Sequence, residues 1–188
     1  MGKAPVCAAV DWGTTNFRLW LMDVDGSVLA ARQSAEGVRA CLPDRFATVV
    51  EKHLEALQAP ANLPVIVAGM AGARGAWQEA RYLETPARLD ALHEQAVRAS
   101  RLPRDVAILP GVCQREKGRE DVMRGEETQL AGASAQGMRA GVFCLPGTHS
   151  KWAWLKDGRL SDFRTFMTGE LFALLSEHSV LSEMVAEG

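Results

Sequence analysis

The sequence predicts an α/β fold in which one strand-turn-strand unit occurs twice. Three observations carry this: short apolar runs separated by Asp-Gly and glycine-rich turns, helical spacing between some of them, and the return near residue 141 of the pattern that opens the chain. Residues 6–10, 17–22 and 27–31 read as strands. Asp25-Gly26 between apolar runs is a hairpin signal, so these form a three-stranded meander. Over 42–57, Leu42, Phe46, Val49, Leu54 and Leu57 approximate helical spacing, with Pro43 and Asp44 suited to a first turn. Residues 65–68 are a short buried strand running into Gly69-Met70-Ala71-Gly72. Thr85-Pro86 is expected to open a second helix reaching about residue 100. A further strand covers 106–109 and stops at Pro110-Gly111.

From Gly141 the opening architecture returns: Val142-Phe143-Cys144-Leu145, a Gly-Thr turn, an apolar strand, then Asp157-Gly158. Gly13-Thr14 is followed by Trp20-Leu21, and Gly147-Thr148 by Trp154-Leu155 at the same interval; the closing Asp-Gly shifts by two positions. A duplicated domain accounts for a shared Gly-Thr turn and a shared Trp-Leu offset better than two unrelated hairpins do. The expected division is residues 1–140 for a first domain and 141–188 for the incomplete opening of a second, the two facing each other across a cleft.

Composition narrows the partners. With 21 basic and 23 acidic residues and no dense basic run, the chain has no electrostatic footprint for nucleic acid or an anionic membrane. A small molecule is the expected ligand. No apolar stretch approaches the roughly 18–20 residues of a membrane span, and no leader pattern opens the chain, so a cytoplasmic location is expected. Cys7, Cys41, Cys113 and Cys144 form no C-x-x-C pair; buried reduced thiols are the expectation. His53, His93 and His178 stand alone and read as structural or solvated, and Trp20 and Trp154 read as core.

Two turns carry chemistry. In Asp11-Trp12-Gly13-Thr14-Thr15 the glycine admits a phosphate close to the backbone, hydroxyls and amides donate to its oxygens, and the carboxylate can hold magnesium through water. A plain polar hairpin is the alternative. Pro146-Gly147-Thr148-His149-Ser150-Lys151 offers a matching donor set, so a nucleotide's phosphates could be clamped between the turns. Gly69-Met70-Ala71-Gly72-Ala73-Arg74-Gly75 is spaced G-x-x-G-x-x-G and no acidic residue ends a following strand, which excludes a dinucleotide loop.

Four ordered motifs resemble the 2-keto-3-deoxygalactonokinases of the sugar-kinase/actin/Hsp70 superfamily. They are Asp11-Trp12-Gly13-Thr14-Thr15-Asn16-Phe17-Arg18; Gly69-Met70-Ala71-Gly72 with Trp77-Gln78-Glu79-Ala80 and Tyr82; Met123-Arg124-Gly125-Glu126-Glu127-Thr128-Gln129; and Leu145-Pro146-Gly147-Thr148-His149-Ser150-Lys151-Trp152. Ala73 and Arg81 depart from the family's usual Ser and Pro.

The resemblance implies a ribonuclease-H-like, actin-like ATPase fold and magnesium- and ATP-dependent phosphorylation of the 6-hydroxyl of 2-dehydro-3-deoxy-D-galactonate in galactonate breakdown. It implies ATP phosphate contacts at Asp11, Gly13, Thr14 and Thr15 and at Gly147, Thr148, His149 and Ser150, with magnesium at Asp11. Glu126 would accept the proton of the attacking hydroxyl, with Glu127 its rival; carboxylates at a helix start also simply complement the dipole. Asn16, Arg18, Gly69, Met70, Trp77, Tyr82 and Arg124 would surround the sugar acid. Similar proteins continue further and carry adenosine-binding glycines there. A non-catalytic sugar-acid-binding remnant and an actin- or Hsp70-like ATPase are the alternatives, and a homodimer is an open quaternary state.

Overall fold

Alternation decides the first sheet. In β1 (Cys7–Trp12) Ala8, Val10 and Trp12 are buried, and in β2 (Phe17–Met22) Phe17, Leu19 and Leu21 are. The computed structural model describes residues 3–99 and 104–184. β3 (Val28–Ser34) completes an antiparallel meander, and α1 (Phe46–Ala56) then carries the chain across so that β4 (Val65–Gly69) lies parallel to β1. After the glycine-rich loop come β5 (Leu83–Glu84), β6 (Ala87–Arg88), β7 (Val97–Arg98), β8 (Val106–Ile108), β9 (Val112–Gln114) and β10 (Asp121–Met123). α2 (Glu126–Ala135) leads to a second meander of β11 (Gly141–Leu145), β12 (Ser150–Lys156) and β13 (Arg159–Phe166), followed by α3 (Thr168–His178).

The first sheet runs β3-β2-β1-β4-β8-β7, with β1, β4 and β8 mutually parallel. One face packs on Phe46, Val49, Val50 and Leu54 of α1. Trp12 is the centre of this core, its ring 4.8 Å from Phe17 and 4.9 Å from Phe46. The second meander forms a sheet ordered β11-β12-β13-β6, and a small third sheet runs β10-β9-β5. A second core gathers Leu89, Leu92, Val112, Met123 and Leu130 with Ala153, Leu155, Leu160 and Phe163. Residues on both sides of position 140 therefore share it.

The meanders lie where the sequence pattern puts them, with boundaries shifted: β1 runs on through Asp11 and Trp12, and β3 reaches Ser34. α1 is shorter than the periodicity of 42–57 predicts. Residues 42–45 form a turn closed by Arg45 N–H to Leu42 C=O, 2.9 Å, and Leu42 is exposed.

The helix expected from Thr85-Pro86 is not there. Ala87–Arg88 is taken up as an edge strand beside β13, Leu89–Gln95 winds as 3-10 helix with Leu89, Ala91 and Leu92 buried, and Val97–Arg98 pairs with β8. Strand pairing on both flanks overrides local helix preference. The expected end of that helix at residue 100 lies outside the described residues.

Trp20 and Trp154 are not core: Trp20 is half-buried on the face of β2 away from Trp12, and Trp154 is 36% exposed. Only Cys113 among the four free thiols is buried, and Cys144 is exposed. His53 is buried, accepting Arg32 Nε–H at Nδ1 and lying 2.9 Å from the Glu36 carboxylate through Nε2. α3 buries none of its residues and exposes Leu171, Phe172, Leu174 and Leu175. No helix among the described residues is long and apolar enough to cross a membrane.

Candidate active site

Because even-numbered residues of β1 enter the core, odd-numbered ones face the other way. Ala9 and Asp11 pair across to Trp20 and Arg18 of β2 on that side. With Ala68 of β4 and Gly125, Thr128 and Gln129 at the start of α2, they line a cavity of about 350 Å³. Asp11 Oδ2 lies 3.1 Å from Arg18 Nη2. Burial pushes the Asp11 carboxyl above its ordinary value; Arg18 draws it back, and the charge of Glu126 adds to the rise. Asp11 thus sits in strand β1 rather than in the turn that follows. The turn itself, Gly13 to Asn16, is closed by Gly13 N–H to Asn16 C=O at 2.8 Å and leaves Thr14 and Thr15 exposed.

α2 brings two carboxylates with different surroundings. Glu126 accepts the Arg124 N–H at 3.1 Å through one oxygen, while the other lies 3.4 Å from Lys151 Nζ. Its side chain keeps 25% exposure. Glu127 is fully buried, takes the Gly125 N–H with both oxygens at 2.8 Å, and has its carboxyl pushed up to about 7 by burial. Gly69 closes in beside them: a Cβ there would meet Trp12 C=O at 2.6 Å and Asp11 Oδ1 at 3.3 Å, and a Cβ on Gly125 would meet Gly69 Cα at 3.4 Å. The structure therefore brings Asp11, Arg18, Gly69 and Glu126 together.

Arg124 lies 4.2 Å above the Tyr82 ring and donates through Nη2 to Ala80 C=O at 2.7 Å. Its Nη1 is buried with no partner among the described residues. Met70 is half-buried in the loop after Gly69, whereas Trp77 turns inward, stacked on Phe46 at 5.8 Å and edge-on to Trp12 at 6.0 Å. Trp77 is a wall of the first core.

The second turn, Pro146 to His149, is backed by the start of α3. Gly147 N–H donates to Ser150 Oγ at 3.3 Å, Ser150 Oγ bonds Thr168 Oγ1, and His149 Nε2 meets the Glu170 carboxylate. Lys151, read from the sequence only as one of the second turn's donors, is instead the partner of Glu126. Its side chain is 6% exposed, and it also donates to His149 C=O at 3.3 Å, tying the second turn to the start of α2. The signal was present: in β12, Lys151 shares a face with the buried Ala153 and Leu155, an inward position where a lysine needs a partner.

Mixed parallel and antiparallel sheets, a cleft lined by a strand carboxylate with a helix-start carboxylate beside it, and two Gly-Thr turns define a mixed α/β protein. The chain belongs to the 2-keto-3-deoxy-galactonokinase family, whose sequence model matches residues 11–188. It is 54% identical over its whole length to a protein of Rhizobium meliloti (strain 1021) named a probable 2-dehydro-3-deoxygalactonokinase, covering 61% of that protein. It is 39% identical over 92% of its length to the 2-dehydro-3-deoxygalactonokinase of Escherichia coli (strain K12), covering 57% of it. A crystal structure of a Sinorhizobium meliloti protein assigned to the 2-dehydro-3-deoxygalactonokinases superimposes with a TM-score of 0.88 at 53% identity, over 97% of this chain and 60% of that one. The chain thus spans about three-fifths of the length of the relatives it matches.

Proposed function

We propose that the protein is a kinase that transfers the γ-phosphoryl group of ATP to the 6-hydroxyl of 2-dehydro-3-deoxy-D-galactonate, in the cytoplasm. The observation that carries this reading is Glu126: a partly exposed carboxylate at the cleft, its oxygens held by Arg124 N–H and Lys151, close enough to Asp11 to act on its charge. Family membership supports the choice of substrate.

Glu126 takes the proton of the attacking hydroxyl. Glu127 is the rival: it is fully buried and both its oxygens face the Gly125 N–H, which places it further from an incoming hydroxyl than Glu126. Asp11 fits a hydrated magnesium ion, since it faces the cleft beside a second negative charge, and magnesium is commonly held by one or two carboxylates plus phosphate. The ion would neutralise phosphate charge there. The turns at Gly13, Thr14 and Thr15 and at Gly147, Thr148, His149 and Ser150 supply donors to the phosphates. Arg124, with an unpartnered Nη1, is suited to the substrate carboxylate alongside Arg18, Asn16, Met70 and Tyr82. The protein's work is positioning and charge neutralisation.

The fold is inferred to be ribonuclease-H-like and duplicated, with β1–β3 and β11–β13 as corresponding meanders in residues 1–140 and 141–188. Each has a Gly-Thr turn after its first strand and a left-handed glycine after its second, Gly26 at φ 77° and Gly158 at φ 75°. The apolar residues that α3 exposes suit further packing of the second unit.

A coupled ADP-release assay with Mg-ATP and 2-dehydro-3-deoxygalactonate tests the reading. Sugar-acid-dependent turnover that falls about 10²- to 10⁴-fold in Glu126→Gln is expected, the range for loss of a general base. ATP hydrolysis indifferent to the sugar acid would overturn the kinase assignment; full turnover in the variant would overturn the base.

A further inference from the structure

We propose that Gly37 and Gly169 are positioning residues that set the two Gly-Thr turns for phosphate. This rests on the kinase reading and adds to it the parts that hold the turns in place.

The chain leaving β3 folds back onto the first turn. Gly37 N–H donates to Thr15 C=O at 3.2 Å, Val38 N–H to Gly13 C=O at 3.0 Å and Arg39 N–H to Thr14 C=O at 3.1 Å. Three successive amides thus engage the carbonyls of three successive turn residues. The approach is so close that a Cβ on Gly37 would lie 2.3 Å from Thr15 C, 2.4 Å from Thr15 Cα and 2.5 Å from Thr14 O. Gly37 has an ordinary backbone conformation, φ −65°, so contact with the turn is what demands glycine here.

The second turn is backed in the same way. A Cβ on Gly169 would lie 2.6 Å from Gly147 O and 3.0 Å from Thr148 Cα, and the next amide, Glu170 N–H, donates to Thr148 C=O at 3.0 Å. The positions correspond. Gly37 stands three residues beyond the end of β3 and Gly169 three beyond the end of β13, and each follows the hairpin glycine of its meander, Gly26 or Gly158, by eleven.

Holding the carbonyls from behind decides what the front can do. Among the described residues, the amides of Thr14, Thr15, Thr148 and His149 donate to no protein acceptor. A turn with its carbonyls occupied and its amides free presents positive partial charge, as an anion site requires. A side chain at Gly37 or Gly169 displaces turn backbone, which moves those amides; neither clash is with the far end of a flexible side chain.

The test is calorimetric titration of Gly37→Ala and Gly169→Ala with Mg-ATP and, separately, with 2-dehydro-3-deoxygalactonate. Gly26→Ala is the control, because it introduces strain at φ 77° with nothing within 4 Å of the new Cβ. Gly37→Ala and Gly169→Ala are expected to weaken Mg-ATP binding at least ten-fold, and in Gly169→Ala, whose turn carries no proposed sugar-acid contact, sugar-acid affinity stays within two-fold. Gly26→Ala is expected to lower the unfolding midpoint and leave both affinities alone. Gly169→Ala, the milder clash, carries the test if Gly37→Ala does not fold. Parental Mg-ATP affinity in Gly169→Ala, or an equal loss of both ligands, overturns the inference alone. A parent chain that binds no Mg-ATP overturns the kinase reading and the inference with it.

Discussion

Lys151 Nζ lies 3.4 Å from Glu126 Oε1, with the lysine side chain nearly buried and the carboxylate a quarter exposed. The contact joins β12 of the second meander to the first residue of α2, so the proposed base is held from both halves of the chain. Its length exceeds the roughly 2.7–2.9 Å of a tight charge-assisted bond, which leaves the carboxylate free to turn toward a hydroxyl.

Lys151→Met is expected to lower kcat by about five- to ten-fold, the effect of roughly 1 kcal/mol for a loose ion pair, with little change in KM for ATP. Lys151→Arg should recover part of the loss, because it restores the charge. Steady-state kinetics on both variants checks this. A KM effect without a kcat effect would assign Lys151 to nucleotide binding instead.

Glu127 makes a separate prediction about stability. Its carboxyl is held near 7 in the fold against an ordinary 4.5, so the native state keeps the proton after the unfolded chain has released it. Stability therefore falls as pH rises from about 4.5 to 7 and is level above that, by about 3 kcal/mol across the window. Glu127→Gln removes the ionisation. Urea unfolding at pH 4.5, 6 and 8 should show the variant gaining on the parent through that window, on top of a constant loss from altered bonding to Gly125 N–H. Parallel curves would show that Glu127 ionises normally in the fold.

Much of this architecture was legible because it follows from period-two alternation and turn chemistry. β1 and β2 declare their buried face through Ala8, Val10, Trp12, Phe17 and Leu19, and both Asp-Gly hairpins form where they are written. What the sequence hid is tertiary. Nothing local in Ala87-Arg88 announces an edge strand beside β13, a partner some seventy residues away, and the apolar residues that follow fit a helix as well as the 3-10 segment they adopt. The site shows the same division. Asp11 and Glu126 stand out as carboxylates beside glycines, but Trp77, which reads as a pocket aromatic, faces Phe46 and Trp12. Lys151, Gly37 and Gly169 matter only through contacts with residues distant in sequence.

Behind the first turn, Glu36 gives a prediction of opposite sign. Its carboxylate takes Lys52 Nζ at 2.9 Å and His53 Nε2 at 2.9 Å, and its backbone C=O accepts the Trp12 indole N–H at 2.8 Å. Arg32 Nε–H donates to His53 Nδ1, which leaves Nε2 to carry the proton toward Glu36. Lys52 first, and then His53 and Ser34, draw the Glu36 carboxyl down to about 2 against the opposing effect of burial. A depressed carboxyl contributes stability above its unfolded value of 4.5 and loses it as pH falls toward 2. Solvent reaches a third of the side chain, so the contribution is discounted to about 1 kcal/mol, or roughly 2–4 °C in Tm for a chain of this size. Glu36→Gln should melt lower than the parent at pH 6 and converge with it by pH 2. A gap that persists unchanged at pH 2 would mean that the side chain acts through packing near Gly37 rather than through its charge.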